Sequence, residues 1–134
     1  MLSVAHLALA TDFSGSYQCY GHDKHDGEYK GAIVTLAQDK TNSDLKHQNG
    51  AYHFSLTEPD GITYTGEAAV SGTHMAIYFE NTSPSAKDDR GVGIAKITQK
   101  KDANGKITTT FHKFYYEPAY QGGNNGYETC VKRT

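Results

Sequence analysis

Short segments with strand-like alternation recur along almost the whole chain, and residues that favour turns separate them. No long run after Thr11 has helical periodicity. Many short strands joined by turns are typical of an all-β domain. The sequence predicts eight strands, which cover residues 17–20, 29–37, 49–56, 62–70, 75–80, 91–98, 107–117 and 127–132.

The connections between these segments indicate how the strands pair. Asp26-Gly27 and Asn104-Gly105 favour tight hairpins, and Pro59-Asp60-Gly61 favours a turn. Residues 39–48 predict a loop or one helical turn, and residues 81–90 predict a longer loop. Closing eight consecutive antiparallel strands into an up-and-down barrel removes the exposed sheet edges. We therefore expect an all-β fold in which residues 11–134 form a single eight-stranded antiparallel barrel domain.

The two cysteines lie in the first and last predicted strands. Neither belongs to a CxxC or CxxH motif, so a zinc site is not indicated. Because closure of the barrel makes those strands neighbours, we predict a disulfide between Cys19 and Cys130. Two unrelated free thiols in a cytosolic protein are the alternative.

Residues 1–10 are mostly apolar and end in Ala8-Leu9-Ala10, which has the small-x-small form of a secretory cleavage site. They predict either the end of a secretory signal or a short N-terminal helix that packs against the barrel. The cleavage-like motif and the even number of cysteines favour export. We therefore expect a secreted or periplasmic protein.

The charge balance and the hydropathy argue against two classes of function. Lys and Arg number 13 and Asp and Glu number 15, which gives a formal charge of −2 and disfavours binding to nucleic acid by phosphate neutralisation. No stretch approaches the roughly 20 apolar residues that cross a bilayer, so we expect no membrane span.

Residues 12–17 read Asp-Phe-Ser-Gly-Ser-Tyr, and this opening resembles the first strand of the calycin barrels, the group of lipocalins, fatty-acid-binding proteins and avidins. Those barrels open with Phe-x-Gly-x-Trp or a close variant, and Tyr17 stands in the place of the Trp. The resemblance implies that Tyr17 closes one end of the barrel and that Lys132 or Arg133 packs over it. The chain contains no Trp, whereas several Trp side chains surround biotin in avidins, so biotin binding is not expected.

The Tyr17-Gln18-Cys19 opening and the late Cys130 are also similar to the periplasmic inhibitors of C-type lysozyme, which are small exported β-barrels. Those inhibitors insert a Ser-Gly-x-x-Tyr loop into the enzyme. Ser71-Gly72 is present, but Tyr78 follows six residues after the glycine, so no inhibitory residue is carried over. The similarity implies a role in binding another protein.

The inward faces of the predicted strands indicate a ligand-binding interior. They combine aromatic side chains with small residues, which either leave room for a ligand or ease tight bends of the strands. The small residues are Gly31, Gly66, Ala68, Gly93 and Ala95. We expect a small apolar or amphipathic molecule to bind inside the barrel, in contact with Tyr52, Phe54, Tyr64, Phe111 and Tyr115.

The seventh strand carries aromatic residues on both faces. Alternation places Tyr115 on one face and Phe114 and Tyr116 on the other. An aromatic outer face needs a cover, which residues 1–10 or a protein partner would supply. The alternative function is therefore a protein-binding or inhibitor module that acts through Tyr116 and Tyr120.

Residues 22–28 hold the densest group of metal-ligating side chains, with two His, two Asp and one Glu. Their spacing does not match a calcium loop, so we expect a solvated hairpin tip and no metal. We expect His53, His74 and His112, on separate strands, to be exposed or structurally hydrogen-bonded. The chain has no Gly-x-Ser-x-Gly elbow, Walker loop or HExxH motif, so we expect neither a cofactor nor enzymatic activity.

Overall fold

The computed structural model describes residues 11–133 and, for residue 133, the backbone alone. It confirms the eight predicted strands. The strands are β1 (Gly15–Asp23), β2 (Gly27–Gln38), β3 (Asn49–Thr57), β4 (Thr63–Ser71), β5 (His74–Asn81), β6 (Arg90–Lys101), β7 (Ile107–Glu117) and β8 (Asn124–Arg133). Short 3-10 helices, Leu45–His47 and Tyr120–Gly122, lie in the β2–β3 and β7–β8 connections.

The sheet closes into a barrel, as predicted. Each strand pairs antiparallel with the next, and β1 pairs with β8. Because neighbouring strands run in opposite directions, the connections that follow β1, β3, β5 and β7 gather at one end of the barrel. We call this the open end, and the opposite end, where residues 11–14 enter β1, the closed end.

The predicted disulfide is present and ties the two terminal strands together. Cys19 on β1 lies directly opposite Cys130 on β8. Their Cα atoms are 4.1 Å apart, and both side chains are buried inside the barrel. The bond therefore joins the pair of strands that closes the sheet.

A bulge interrupts the pairing of β1 with β2. Cys19 pairs with Ala32, whereas Tyr20 pairs with Lys30. Gly31 lies between these two pairs and has φ of +86°. A residue with a Cβ would be strained in this conformation, so the position favours glycine. The prediction that Gly31 faces the interior is wrong, because the bulge exposes Gly31 and turns Ala32 inward.

The segment before β1 seals the closed end. The Tyr17 hydroxyl donates to the backbone oxygen of Phe13 at 2.7 Å, and the Phe13 backbone N–H donates to the Tyr52 hydroxyl at 3.0 Å. The ammonium of Lys132 lies 5.3 Å from the centroid of the Tyr17 ring and donates to the backbone oxygen of Ser14 at 2.6 Å. These contacts confirm the expectation that Tyr17 closes one end under a basic residue of the last strand. The architecture is consistent with a calycin-like barrel.

The segment predicted as the end of a secretory signal or a short helix, residues 1–10, lies outside the described residues. Within the described part of the chain, no helix has the length and apolar character needed to cross a membrane.

Candidate functional site

The barrel interior is filled at the closed end and hollow at the open end. Apolar side chains pack the closed half, among them Val34, Leu36, Val70, Met75 and Ile97. A cavity of about 610 Å³ occupies the other half and reaches the connections of the open end. Its volume lies in the range that small-molecule ligands occupy in proteins.

The small inward residues have other roles than making this space. The two inward alanines are packed in the core. Gly66 lies so close to the backbone of Tyr78 on β5 that a Cβ would collide with it. A Cβ at Gly93 would lie 3.2 Å from the side chain of Lys113. Gly66 thus permits a close approach of two strands and Gly93 leaves room for a lysine. Of the two roles expected for the small residues, room for a ligand or easing of tight bends, these two glycines do not fulfil the first.

Aromatic rings form much of the cavity wall. The ring of Phe79 meets that of Tyr64 edge-on with centroids 5.9 Å apart, and meets that of Tyr115 with centroids 6.1 Å apart. Phe54 and Leu56 of β3 also line the cavity. Because edge-to-face contacts hold rings in preferred orientations, the apolar wall is preformed.

A buried ion pair lies deeper in the cavity. The Nζ of Lys113 on β7 is 2.7 Å from Oε1 of Glu128 on β8, and the two side chains are 3% and 2% exposed. The Tyr29 hydroxyl donates to Oε2 of Glu128 at 2.7 Å. The Lys113 ammonium also lies 5.3 Å from the Phe54 centroid and 5.7 Å from the Tyr115 centroid. Lys113 is thus held between a carboxylate and aromatic faces, which compensates for its lost hydration.

The carboxylate of Asp23 at the end of β1 accepts four hydrogen bonds. Its Oδ2 accepts from the Tyr115 hydroxyl at 2.5 Å and from Nδ2 of Asn124 at 2.9 Å. Its Oδ1 accepts from the backbone N–H groups of His25 and Asp26. Burial acts to raise the pKa of Asp23, but these hydrogen bonds outweigh it and hold the pKa below its ordinary value. The predicted solvated hairpin tip is wrong for Asp23, which turns inward and is 7% exposed.

A carboxyl pair lies beside Asp23 at the open end. The Nδ2 of Asn124 also donates to Oε1 of Glu117 at 2.9 Å, and the Glu117 carboxyl lies within hydrogen-bonding reach of that of Asp89. Burial and the neighbouring Asp89 raise the pKa of Glu117 to about 8. Asp89 accepts from the Tyr64 hydroxyl at 2.7 Å. Glu117 therefore keeps its proton to a higher pH than an ordinary glutamate does.

Two buried acceptors in this cluster lack a donor. Among the described residues, none donates to Oδ1 of Asn124 or to Oε2 of Glu117. Both side chains line the cavity and are buried. Protonation of Glu117 satisfies that carboxyl and leaves Oδ1 of Asn124 unpaired. Unpaired buried acceptors are rare in folded proteins, so these two oxygens distinguish this corner of the cavity from the rest of the described interior.

Acidic side chains outnumber basic ones around the cavity. Within residues 11–133, seven acidic side chains line it against two lysines, Lys30 and Lys113. Burial, with the nearby Asp60, raises the pKa of Glu58 at the rim to about 7. The cavity therefore has a negative potential once these carboxyls ionise.

The structure brings together three of the five predicted ligand-binding residues. Phe54, Tyr64 and Tyr115 meet in the cavity wall. Tyr52 and Phe111 lie in the packed half of the barrel, away from the cavity lining.

The two predicted partner-binding residues lie apart. Tyr120 lines the cavity at the open end, where its ring centroid is 6.3 Å from that of His25. Tyr116 lies on the outer face of β7 and is exposed. A single surface therefore does not contain both tyrosines.

Apolar side chains form a continuous exposed patch on the outer faces of β6, β7 and β8, as the alternation of the seventh strand predicts. Ile94 pairs with Phe114 and Val92 with Tyr116. Phe114 in turn pairs with Tyr127, and their ring centroids are 5.5 Å apart. The five side chains are 41% to 65% exposed, and we call them the outer apolar patch.

Sequence reasoning did not identify Lys113, Glu117 and Glu128 as residues of the site. A signal was present, because Lys113 and Glu117 have the same parity on β7 as the buried Phe111. Glu128 likewise stands two residues before Cys130, whose inward direction the disulfide requires. Charged residues at inward positions thus marked the polar part of the interior.

The strand histidines are exposed on the outside of the barrel, as expected. His53 lies 3.0 Å from Glu67 on β4, and His112 lies 3.1 Å from Thr129 on β8. These contacts link neighbouring strands at the surface.

One group among the described residues has the spacing of a metal site: Cys19, Glu128 and Cys130. The two sulfurs are joined in the disulfide. Because the thiolate is the form of cysteine that binds metals, this group does not form a metal site.

A larger depression, of about 880 Å³, lies on the outside of β1 and β2 beside the bulge. Ser16, Gln18, Tyr20 and Ile33 line it, and no carboxylate among the described residues does. This depression has neither the aromatic wall nor the unpaired acceptors that line the interior cavity. The interior cavity is therefore the candidate functional site.

Comparison with known proteins finds no matching family model, no matching curated protein and no matching solved structure. The function is therefore argued from the geometry of the site itself.

Proposed function

We propose that this barrel binds a small amphipathic molecule in its interior cavity. The observation that carries the proposal is the preformed space of about 610 Å³, closed at one end by the packed core and bordered by polar groups at the other. A preformed cavity that combines an apolar aromatic wall with polar groups on the other side is typical of ligand-binding sites.

The distribution of side chains supports an amphipathic ligand. Phe54 and Phe79 offer an apolar wall to the body of the molecule. Glu117 and Asn124 lie at the ends of β7 and β8 that belong to the open end of the barrel, where their buried acceptors can meet a polar group of the ligand. A purely apolar ligand would leave the buried acceptors unpaired.

The proposed role is binding without catalysis. A convergent group of carboxyls and tyrosines in the interior meets one requirement of a barrel enzyme. However, within the described chain no Ser, Thr or His side chain lines the cavity. Asp23 has four donors and the Lys113–Glu128 pair is internally neutralised, so these groups support a fixed binding surface.

A fluorescent probe tests the proposal. N-phenyl-naphthylamine, which is uncharged at neutral pH, should brighten on binding, and Phe79→Leu should weaken its binding because Phe79 lines the cavity. Ile94→Ala, in the outer apolar patch, is the control and should leave binding unchanged. Loss of binding in Ile94→Ala alone would place the probe on the outer surface and contradict the proposal.

The outer apolar patch supports a second candidate function, binding of a protein partner. Scattered exposed apolar residues are ordinary, but a contiguous patch of this kind is typical of interaction surfaces. The wild-type protein should then capture a partner and bind that partner again after it has been purified. The double variant Phe114→Ser/Tyr127→Ser should not bind it. Equal binding by both proteins would remove this candidate.

The disulfide supports a secreted or periplasmic location, because such bonds persist in oxidising compartments. Alkylation of thiols in the intact native cells is the test. We expect Cys19 and Cys130 to resist alkylation until a reductant is added, and full labelling without reductant would contradict this location.

A further inference from the structure

The orientation of the Asn124 amide is set by two carboxylates. Its Nδ2 donates to Oδ2 of Asp23 and to Oε1 of Glu117, both at 2.9 Å. The ionised carboxylate of Asp23 only accepts, so an inverted amide would place its oxygen against Oδ2 of Asp23. Oδ1 is therefore fixed as a buried acceptor, and no donor in the described part of the chain reaches it.

The neighbours of this oxygen are also acceptors. Oε2 of Glu117 is buried beside the carboxyl of Asp89. A proton on Glu117 can be donated to Asp89, but it leaves Oδ1 of Asn124 unpaired. A ligand group with several N–H donors and a positive charge satisfies all three residues at once, because each donor meets one acceptor and the charge replaces the proton on Glu117.

The two lysines of the cavity lining do not neutralise the carboxyls of Asp89 and Glu117. Lys113 pairs with Glu128 deeper in the cavity, and Lys30, the other lysine in the lining, is an exposed residue of β2. The acidic cluster is thus left without a compensating protein charge in the described chain. Such a site attracts a cation and repels an anion.

We infer that the cavity selects an organic cation, a molecule with an apolar body and a protonated amine that binds between Asp89, Glu117 and Asn124. This inference rests on the proposed ligand-binding function and names its ligand class. The amine donates to Oδ1 of Asn124 and to the two carboxylates, while the apolar body lies against Phe54 and Phe79.

The arrangement of the carboxylate oxygens in the cavity favours an organic cation over a metal ion. Calcium needs roughly six to eight oxygen ligands in close array. Among residues 11–133, no three carboxylates of the cavity approach one another closely enough to be grouped as metal ligands. An ammonium group needs only a few acceptors and brings an apolar body that the aromatic wall can bind.

Three dansyl probes that share one alkyl chain and differ only in the terminal group test the inference. They end in an amine (dansyl-cadaverine), an alcohol and a carboxylate. We expect the amine to bind about tenfold or more tightly than the alcohol, since hydrogen bonds to charged groups are stronger, and the carboxylate to bind most weakly. Titrations follow the dansyl fluorescence.

Glu117→Gln separates charge recognition from a structural effect. It should weaken the amine by about tenfold and lower the ratio of amine to alcohol affinity, because glutamine keeps the shape but not the charge. Glu67→Gln, exposed on the outside of β4, is the matched control and should alter neither affinity.

The pH dependence gives a second readout. The titratable groups that face Glu117 are Asp23 on β1, Tyr64 on β4, Asp89 before β6, Tyr115 on β7 and Tyr120 after it, with Glu58 near Tyr64. The amine must displace the proton held on Glu117, whose pKa is about 8. Its affinity should therefore rise about tenfold from pH 7 to pH 9, while that of the alcohol stays constant.

The outcomes distinguish the inference from the proposed function. Equal affinities for the amine and the alcohol would overturn the inference and leave ligand binding standing. Binding of none of the three probes would overturn both. Displacement of the amine by stoichiometric calcium would assign the acidic cluster to a metal and also overturn the inference.

Discussion

The Nζ of Lys113 lies 2.7 Å from Oε1 of Glu128 inside the barrel, and both side chains are almost completely shielded from water. Removing two charges from water costs free energy, which their attraction offsets only while both are present. We expect Lys113→Met to lower the free energy of unfolding by about 3–5 kcal/mol, because Glu128 becomes an uncompensated buried charge.

A double-mutant cycle measured by urea unfolding checks this coupling. Lys113→Met/Glu128→Gln should be more stable than the sum of the two single losses predicts. Lys96→Met, exposed on β6, should change stability by less than about 0.5 kcal/mol. Strict additivity of the single effects would contradict a coupled pair.

Glu117 is expected to lower stability as the pH rises. Its pKa is raised from 4.5 to about 8 in the fold, so the unfolded chain releases this proton at lower pH than the folded one. The stabilisation that comes from binding the proton is complete below the lower value and is lost as the pH rises through about 8. Glu117→Gln, which resembles the protonated form, should therefore exceed the wild type by about 1–3 kcal/mol near pH 9 and match it near pH 5.

Urea unfolding at a series of pH values measures this difference. The exposed Glu67→Gln should follow the wild-type profile throughout. Parallel profiles for Glu117→Gln and the wild type would show that Glu117 titrates alike in the folded and unfolded chains.

The disulfide should contribute strongly to stability because it joins residues 111 positions apart. Closing a long loop restricts the unfolded chain, and removal of such a bond typically costs about 2–5 kcal/mol. The variant Cys19→Ala/Cys130→Ala should show this loss in urea, and a reductant should change only the wild type. A wild-type midpoint that a reductant leaves unmoved, with reduction verified by mass, would contradict the prediction.

The closed end depends on Lys132. Its ammonium donates to the backbone oxygen of Ser14 and lies over the Tyr17 ring. Lys132→Met keeps the apolar stem but loses both contacts, so we expect a loss of about 1–2 kcal/mol in thermal or urea unfolding. Lys100→Met, exposed on β6, is the control. Equal stabilities of the two variants would mean that the Lys132 contacts add nothing.

The barrel was predictable because its signals are local. Asp26-Gly27 and Asn104-Gly105 supply the positive φ that tight hairpins require, with values of +79° and +80° at the two glycines. The alternation of apolar residues set the inward faces, and closure placed Cys19 opposite Cys130. These features need only the pattern of one strand and its neighbour.

The polar part of the site was harder to predict because it depends on register. The bulge at Gly31 changes which residues of β2 face inward. A glycine inside a strand is compatible with a bulge, but the strand pattern alone does not fix the pairing on each side of it. The sequence places Asp23 in a polar hairpin, and only its four hydrogen bonds show that its side chain turns inward. The meeting of Glu117 with Asp89 joins a strand end to a distant loop, which a sequence pattern does not reveal.

Binding of a small molecule in the interior cavity can be mapped by titrating the protein with dansyl-cadaverine and recording amide correlation spectra. We predict saturable shifts at the amides of Tyr64, Phe79 and Glu117, around the cavity, and none at Ile94 of the outer apolar patch. Shifts confined to the outer apolar patch, or no shifts with any of the three dansyl probes, would contradict it.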